Sequence, residues 1–164
     1  MKNTLQKIRS QQSGFTLIEL LIVITIIAAL AVTVFVALNP VKRLQDSRDS
    51  RRSADVETIL TAVHEYVVDN KGSLPTGLTT SMAEKMLGTG ASGCTLTQAN
   101  CVTTTAACLD ISTPLNKYLK SIPVDPGATY SAALTGYSVT VDANNIVTVK
   151  ACGGENNQAI SQSR

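Results

Sequence analysis

The run FTLIELLIVITIIAALAVTVFVAL, residues 15 to 38, contains no glycine or proline and one charged side chain, Glu19. As an α-helix it reaches about 36 Å at ~1.5 Å per residue, more than the ~30 Å hydrocarbon core of a bilayer. It is apolar around its whole circumference, so it belongs in lipid or among other helices. A secretory signal peptide fits poorly, because an h-region runs ~7–15 residues and no small-residue cleavage pattern follows this segment. Lys2, Lys7 and Arg9 precede it and place its N-terminal end in the cytoplasm by the positive-inside rule. Lys42 and Arg43 at the far end weaken that bias, with Asp46 in partial compensation.

The rest of the 164-residue chain is enough for one domain with a small core. Three of its 14 basic side chains lie in the leader, so the remainder sets 11 against 12 acidic ones. A nearly neutral body gives no electrostatic case for nucleic acid. All four cysteines (Cys94, Cys101, Cys108 and Cys152) lie in the C-terminal half. That placement suits folding in an oxidising compartment, where disulfides support a thin core.

Glu19 is the informative residue. A charge at the centre of such a segment costs about 2.5–3.5 kcal/mol, and less near its edge. Either Glu19 lies shallow enough to reach headgroup water, or it awaits a positive partner. Cleavage after Gly14 creates that partner, because Phe15 then carries a free α-ammonium. Within one subunit this amine lies about one helical turn away; a neighbour displaced along the axis brings its own amine beside the carboxylate. In low dielectric the pair is strongly favoured over either charge alone, and it specifies axial register between packed helices.

Lys2 and Lys7-Ile8-Arg9, followed by Ser13-Gly14-Phe15-Thr16-Leu17-Ile18-Glu19-Leu20-Leu21, resemble the class III signal of type IV pilins and type II secretion pseudopilins. The resemblance implies a membrane aspartyl peptidase that cuts after Gly14 and N-methylates Phe15. It also assigns the family's assembly glutamate to Glu19. Val36 stands where many relatives have a kinking proline, and Pro40 follows four residues later.

Asn39-Pro40 is expected to bend or interrupt the helix, since proline lacks the N–H and clashes with the preceding turn. Beyond it, Val56, Ile59, Leu60, Val63, Tyr66 and Val67 form an apolar stripe at helical spacing. One long bent helix from about Phe15 to Asn70 is therefore expected, its second half packed on the body. The charges between Lys42 and Glu57 read as a solvated collar with pairs such as Asp46–Arg43, Asp55–Arg51 and Asp55–Arg52. Contacts to neighbouring subunits or anionic headgroups are the alternative. Asn70 and Gly72 stop the helix, with Pro75 beyond.

The segment Tyr66-Val67-Val68-Asp69-Asn70-Lys71-Gly72 resembles a Tyr-x-x-Asp-Asn-Gly stretch of major pseudopilins, with Lys71 inserted. Ile122-Pro123-Val124-Asp125-Pro126 resembles their Leu-Pro-x-Asp-Pro stretch. Ser81-Met82-Ala83-Glu84 has capping-box spacing and predicts a small helix to about Leu87. Thr113-Pro114 predicts another through Leu119. Tyr137, Val139 and Val141 alternate with polar residues, and Ile146–Val149 follows a polar turn, which predicts a β-hairpin. A third strand is expected within Cys101–Ile111. The fold class is α+β: a long helix packed on a small antiparallel sheet.

Four cysteines allow three pairings. The expectation is Cys94–Cys101, closing a local loop, and Cys108–Cys152. The cysteine spacing gives no zinc pattern, and His64, the only histidine, has no nucleophile at recognisable spacing. Asp125, Asp142 and Asn144 offer oxygens of the kind calcium takes, as the pseudopilin resemblance suggests, but without motif spacing. No cofactor, metal or catalytic residue is assigned, and nothing argues for an enzyme.

The domain reading is a cleaved leader over 1–14, a transmembrane and filament-core helix over 15–38, an amphipathic helix over 39–71 and a body over 72–164. The reading is a structural subunit of a type IV pilus-like filament; the alternatives are a major pseudopilin of a secretion or DNA-uptake system, or a single-pass anchor for an extracellular binding domain. Expected partners are further copies of the chain, the prepilin peptidase and N-methyltransferase, an assembly platform and membrane lipid. The precursor is expected in the inner or cytoplasmic membrane of a bacterium, N-terminus inside, and the filament outside it or in the periplasm.

Overall fold

A computed structural model describes residues 14–98, 100–155 and 158–164, and the chain divides after Pro40 into two compact units. Lys2, Lys7 and Arg9 lie outside the described residues. The first unit holds α1 (Leu17–Leu38), 22 residues with none buried. Its length is about 33 Å, enough to cross a bilayer. Asn39 ends it in a left-handed conformation, φ 38°. The following proline disfavours the right-handed helical region at this position, and Asn tolerates the left-handed one. Pro40 then opens α2 (Pro40–Asp69), where its missing N–H is no loss. The expected interruption therefore falls at Asn39.

The second unit is α+β. α2 buries Val56, Ile59, Leu60, Ala62 and Val63, each of the larger side chains contributing about 1.5–3 kcal/mol. They meet a four-stranded antiparallel sheet ordered β1-β4-β5-β6, formed by β1 (Met82–Met86), β4 (Tyr137–Val141), β5 (Val147–Ala151) and β6 (Ile160–Ser163). Register pairs Tyr137 with Ala151, Val139 with Val149 and Val141 with Val147, so the alternating apolar residues of the expected hairpin share the core. Asp142 shapes its turn by accepting from the backbone N–H groups of Asn144 (2.7 Å) and Ile146 (2.8 Å). A second small sheet pairs β2 (Leu96–Gln98) with β3 (Cys101–Thr103).

α2 stops in a Schellman-type arrangement: Gly72 N–H donates to the Val67 carbonyl at 2.8 Å, and Lys71 takes a left-handed φ of 56°. Three expected elements need correction. Ser81–Leu87 is not a helix. Ser81 itself is left-handed, and Met82–Met86 forms an edge strand on β4 with Met82 and Met86 buried. The Glu84 carboxylate, free of a capping role, accepts instead from Ser138 Oγ at 2.6 Å and Lys150 Nζ at 3.3 Å. The segment after Ser112 is α-helical only over α3 (Ser112–Leu115), and continues to Leu119 as turns. β3 lies inside the Thr-rich segment, as expected, but pairs with β2; the fourth strand of the main sheet is the polar β6.

The disulfides are Cys94–Cys108 and Cys101–Cys152, each with Cα atoms 5.2 Å apart, not Cys94–Cys101 and Cys108–Cys152. The β2–β3 ladder explains this. Cys101 faces Gln98 across the hairpin, and Cys94 lies four residues further along, about 13 Å away in a strand-like path and beyond disulfide reach. Cys94 instead runs beside the returning chain, its N–H donating to the Ala106 carbonyl at 3.0 Å, while Cys108 N–H reaches Gly90.

Candidate processing and assembly site

Gly14 and Phe15 lie directly before the first turn of α1 and are both exposed, Phe15 to 88%. A Cβ added to Gly14 would meet nothing within 4 Å. No packing within the described chain requires a glycine there. Thr16 is the N-cap: its Oγ1 accepts from Glu19 N–H at 3.2 Å. Glu19 reaches back, its Oε2 accepting from Thr16 N–H at 2.9 Å and from Thr16 Oγ1 at 2.8 Å. This reciprocal capping box satisfies donors that the helix start would leave open.

Thr16 joins the expected site residues Gly14, Phe15 and Glu19, and Thr-x-x-Glu at positions 16–19 is the capping-box spacing that signals it. It adds a third role for Glu19 beside headgroup contact and pairing with an amine: the carboxylate closes its own helix. Only Oε2 is used, and Oε1 takes no hydrogen bond among the described residues. The carboxylate therefore keeps an acceptor for an incoming cation while helix-terminal dipoles and Thr16 hold it in place. Phe15 N, the atom that cleavage would convert into an ammonium, belongs to the residue beside this cap.

In the body, the structure assembles a second cluster, which joins Arg48, Asp49 and Arg52 of the expected collar to Asp125 and Glu155. Arg52 is 1% exposed. Its Nε and Nη2 donate to the two oxygens of Asp125 at 2.7 and 2.9 Å, and Nη1 donates to Asp49 Oδ1 at 2.8 Å. Glu155 bridges outward, taking Arg48 in a bidentate pair at 2.7 Å on both bonds while its backbone N–H donates to Asp49. The expected Asp55–Arg52 pair is absent, because Arg52 turns inward; Asp55–Arg51 is present but long, at 3.8 Å. Asp55 instead accepts from the Tyr137 hydroxyl at 2.7 Å.

Each group's acidity follows its partners. The bond to Asp125 holds the Arg52 guanidinium above its usual range against the opposing effect of burial. Arg48 holds the Glu155 carboxyl below its usual value. Burial, reinforced by Asp55, pushes the Tyr137 phenol up. Asp125 also accepts from Gly127 N–H at 2.7 Å, so its oxygens are occupied by Arg52 and backbone rather than poised for calcium. Gly136, at φ 84°, backs it; a Cβ there would stand 2.7 Å from Asp125 Cβ. Among the described residues no group of three His, Cys, Asp or Glu is placed to hold a metal ion.

The geometry of the N-terminus coincides with a recognised pattern: the prokaryotic N-terminal methylation motif matches residues 9–35. The chain carries the N-terminal signal of type IV pilins and pseudopilins. The match takes in Gly14, Phe15, Thr16, Glu19 and most of α1, and ends before the body. No curated protein and no solved structure matches the chain.

Proposed function

We propose that the chain is a structural subunit of a type IV pilus-like filament, made as a single-pass precursor. The observation that carries this is the methylation motif at residues 9–35, with Gly14 and Phe15 exposed immediately before a capped helix that buries none of its residues. A prepilin peptidase hydrolyses the Gly14–Phe15 bond and a methyl group is transferred to the Phe15 amine, which stays protonatable. On extraction from lipid, the α1 helices of many copies bury one another, and Glu19 meets a Phe15 ammonium. Hydrophobic burial supplies most of the attraction; the ion pair selects the register.

The cysteine-bearing segment favours a pilus subunit over a secretion or DNA-uptake pseudopilin. One disulfide, Cys94–Cys108, closes this Thr-rich stretch on itself and the other, Cys101–Cys152, fastens it to the sheet, giving the surface an elaboration suited to an outward-facing filament. Intact-mass measurement of membrane-extracted protein tests the reading. Loss of residues 1–14 with gain of one methyl group supports it; an uncut N-terminus in a host with an active peptidase refutes it and leaves the membrane-anchored binding domain. Glu19→Ala is expected to insert and be cleaved, yet to yield few filaments. Normal filament yield would remove the pairing role.

A further inference from the structure

Opposite its buried stripe, α2 exposes Arg43 and Arg51 in its first half and Glu57 and Glu65 in its second. Arg43 to Glu57 and Arg51 to Glu65 are the same interval, 14 positions. Between parallel copies of α2, one axial displacement of about 21 Å therefore brings both cations against both anions at once. Zero displacement would oppose like charges along the whole face, which disfavours side-by-side pairing.

These four side chains are not committed elsewhere. Arg43, Glu57 and Glu65 make no ion pair or side-chain hydrogen bond among the described residues, and Arg51 holds Asp55 only at 3.8 Å with 65% of its side chain exposed. The surface between the carboxylates is recessed: a groove of about 340 Å³ is lined by Ala54, Glu57, Thr58, Thr61, Glu65 and Tyr118. Small residues at its floor let a long cationic side chain approach both acids. The donating and receiving halves are different surfaces of one helix, so every copy can use both and the contact repeats without closing on itself.

We propose that this face of α2 is a contact between copies of the chain, in which Glu57 and Glu65 of one subunit receive Arg43 and Arg51 of a neighbour displaced along the axis. It rests on the filament reading and deepens it. The contact sets stagger between copies of α2, in addition to the pairing of Glu19 with a Phe15 amine.

The test uses the full chain expressed with its processing and assembly machinery, scoring sheared filaments against the membrane pool and reading processing by intact mass. Glu57→Lys with Glu65→Lys, and separately Arg43→Glu with Arg51→Glu, are each expected to lower filament yield about tenfold or more while leaving cleavage and methylation intact. Combining all four reversals is expected to restore yield to within about threefold of the unchanged chain. A milder pair, Glu57→Gln with Glu65→Gln, is expected to lose part of the yield with an unchanged unfolding midpoint, which separates lost contact from lost fold. Normal yield from either reversal overturns the proposal, as does a combined variant that assembles no better than its parents. Loss on reversing the arginines alone would assign them to anionic headgroups and also overturn it. An unchanged chain that is processed but forms no filaments would overturn the filament reading together with the proposal.

Discussion

Arg52 and Asp125 lie in the body with 1% and 3% exposure, two charges that water would otherwise solvate. Such a pair need not add net stability relative to an apolar substitute, but breaking it leaves a buried charge without its partner. Arg52→Ala strands Asp125 and Asp49 together, and a loss of about 3–5 kcal/mol is expected, read from urea unfolding of the extracted protein. A loss below about 1 kcal/mol would mean that water enters the site and solvates both acids. Glu155 governs a different axis. Its carboxyl is held below 4.5 by hydrogen bonds from Arg48. The unfolded chain therefore binds the proton first as pH drops, and stability rises with pH across this interval. The contribution is complete above the ordinary carboxylate range and disappears as pH falls through the lowered folded value. Glu155→Gln is expected to unfold with a shallower pH dependence below about pH 4.5 than the unchanged chain, in a pH series of thermal melts.

Among the elements, the two disulfides act on very different loops. Cys101–Cys152 spans 51 residues and Cys94–Cys108 spans 14. In the chain-entropy picture the longer closure restricts the unfolded state more, by about 1 kcal/mol. Cys101→Ser with Cys152→Ser is accordingly expected to lower the urea midpoint further than Cys94→Ser with Cys108→Ser. Equal effects would point to local packing around Met86 as the main role of both bridges. The elements also show which signals a sequence can carry. The β4–β5 hairpin was legible because Tyr137, Val139 and Val141 alternate with the polar Ser138 and Thr140 and turn their apolar side chains to one face, and Asn39-Pro40 was legible because its effect is confined to adjacent residues. Ser81–Leu87 misled because capping-box spacing is a local preference, whereas Met82 and Met86 gain more by packing beside β4. β6 was invisible: Ile160 is its one apolar residue, and its pairing with β5 depends on distant backbone. Arg52 looked like its exposed neighbours until Asp125, 73 residues away, closed on it. Cysteine pairing failed for the same reason, since ladder register decides which sulfurs meet. At the N-terminus Gly14, Phe15 and Glu19 were readable as a linear signal, while Thr16 was missed although its role is equally local.

The whole molecule separates what folds from what assembles. α1 buries none of its residues, and the first buried residue of α2 is Asp49, so the hydrophobic core belongs to the second unit. The apolar surface of α1 is a demand on surroundings, met by lipid before assembly and by other copies afterwards in the proposed filament. The body's demands are met internally by the sheet, α2, the ionic cluster and both disulfides. A chain starting at Val41 is therefore expected to fold alone as a monomer in detergent-free buffer, with both bridges formed and fraying confined to the turns before Asp49. Its urea midpoint is expected to match that of the full chain in detergent, because removing residues 1–40 deletes nothing from the core. Sedimentation and unfolding of the shortened chain check this. Aggregation, or a midpoint clearly below that of the full chain, would show that α1 supports the body as well as joining it to its neighbours.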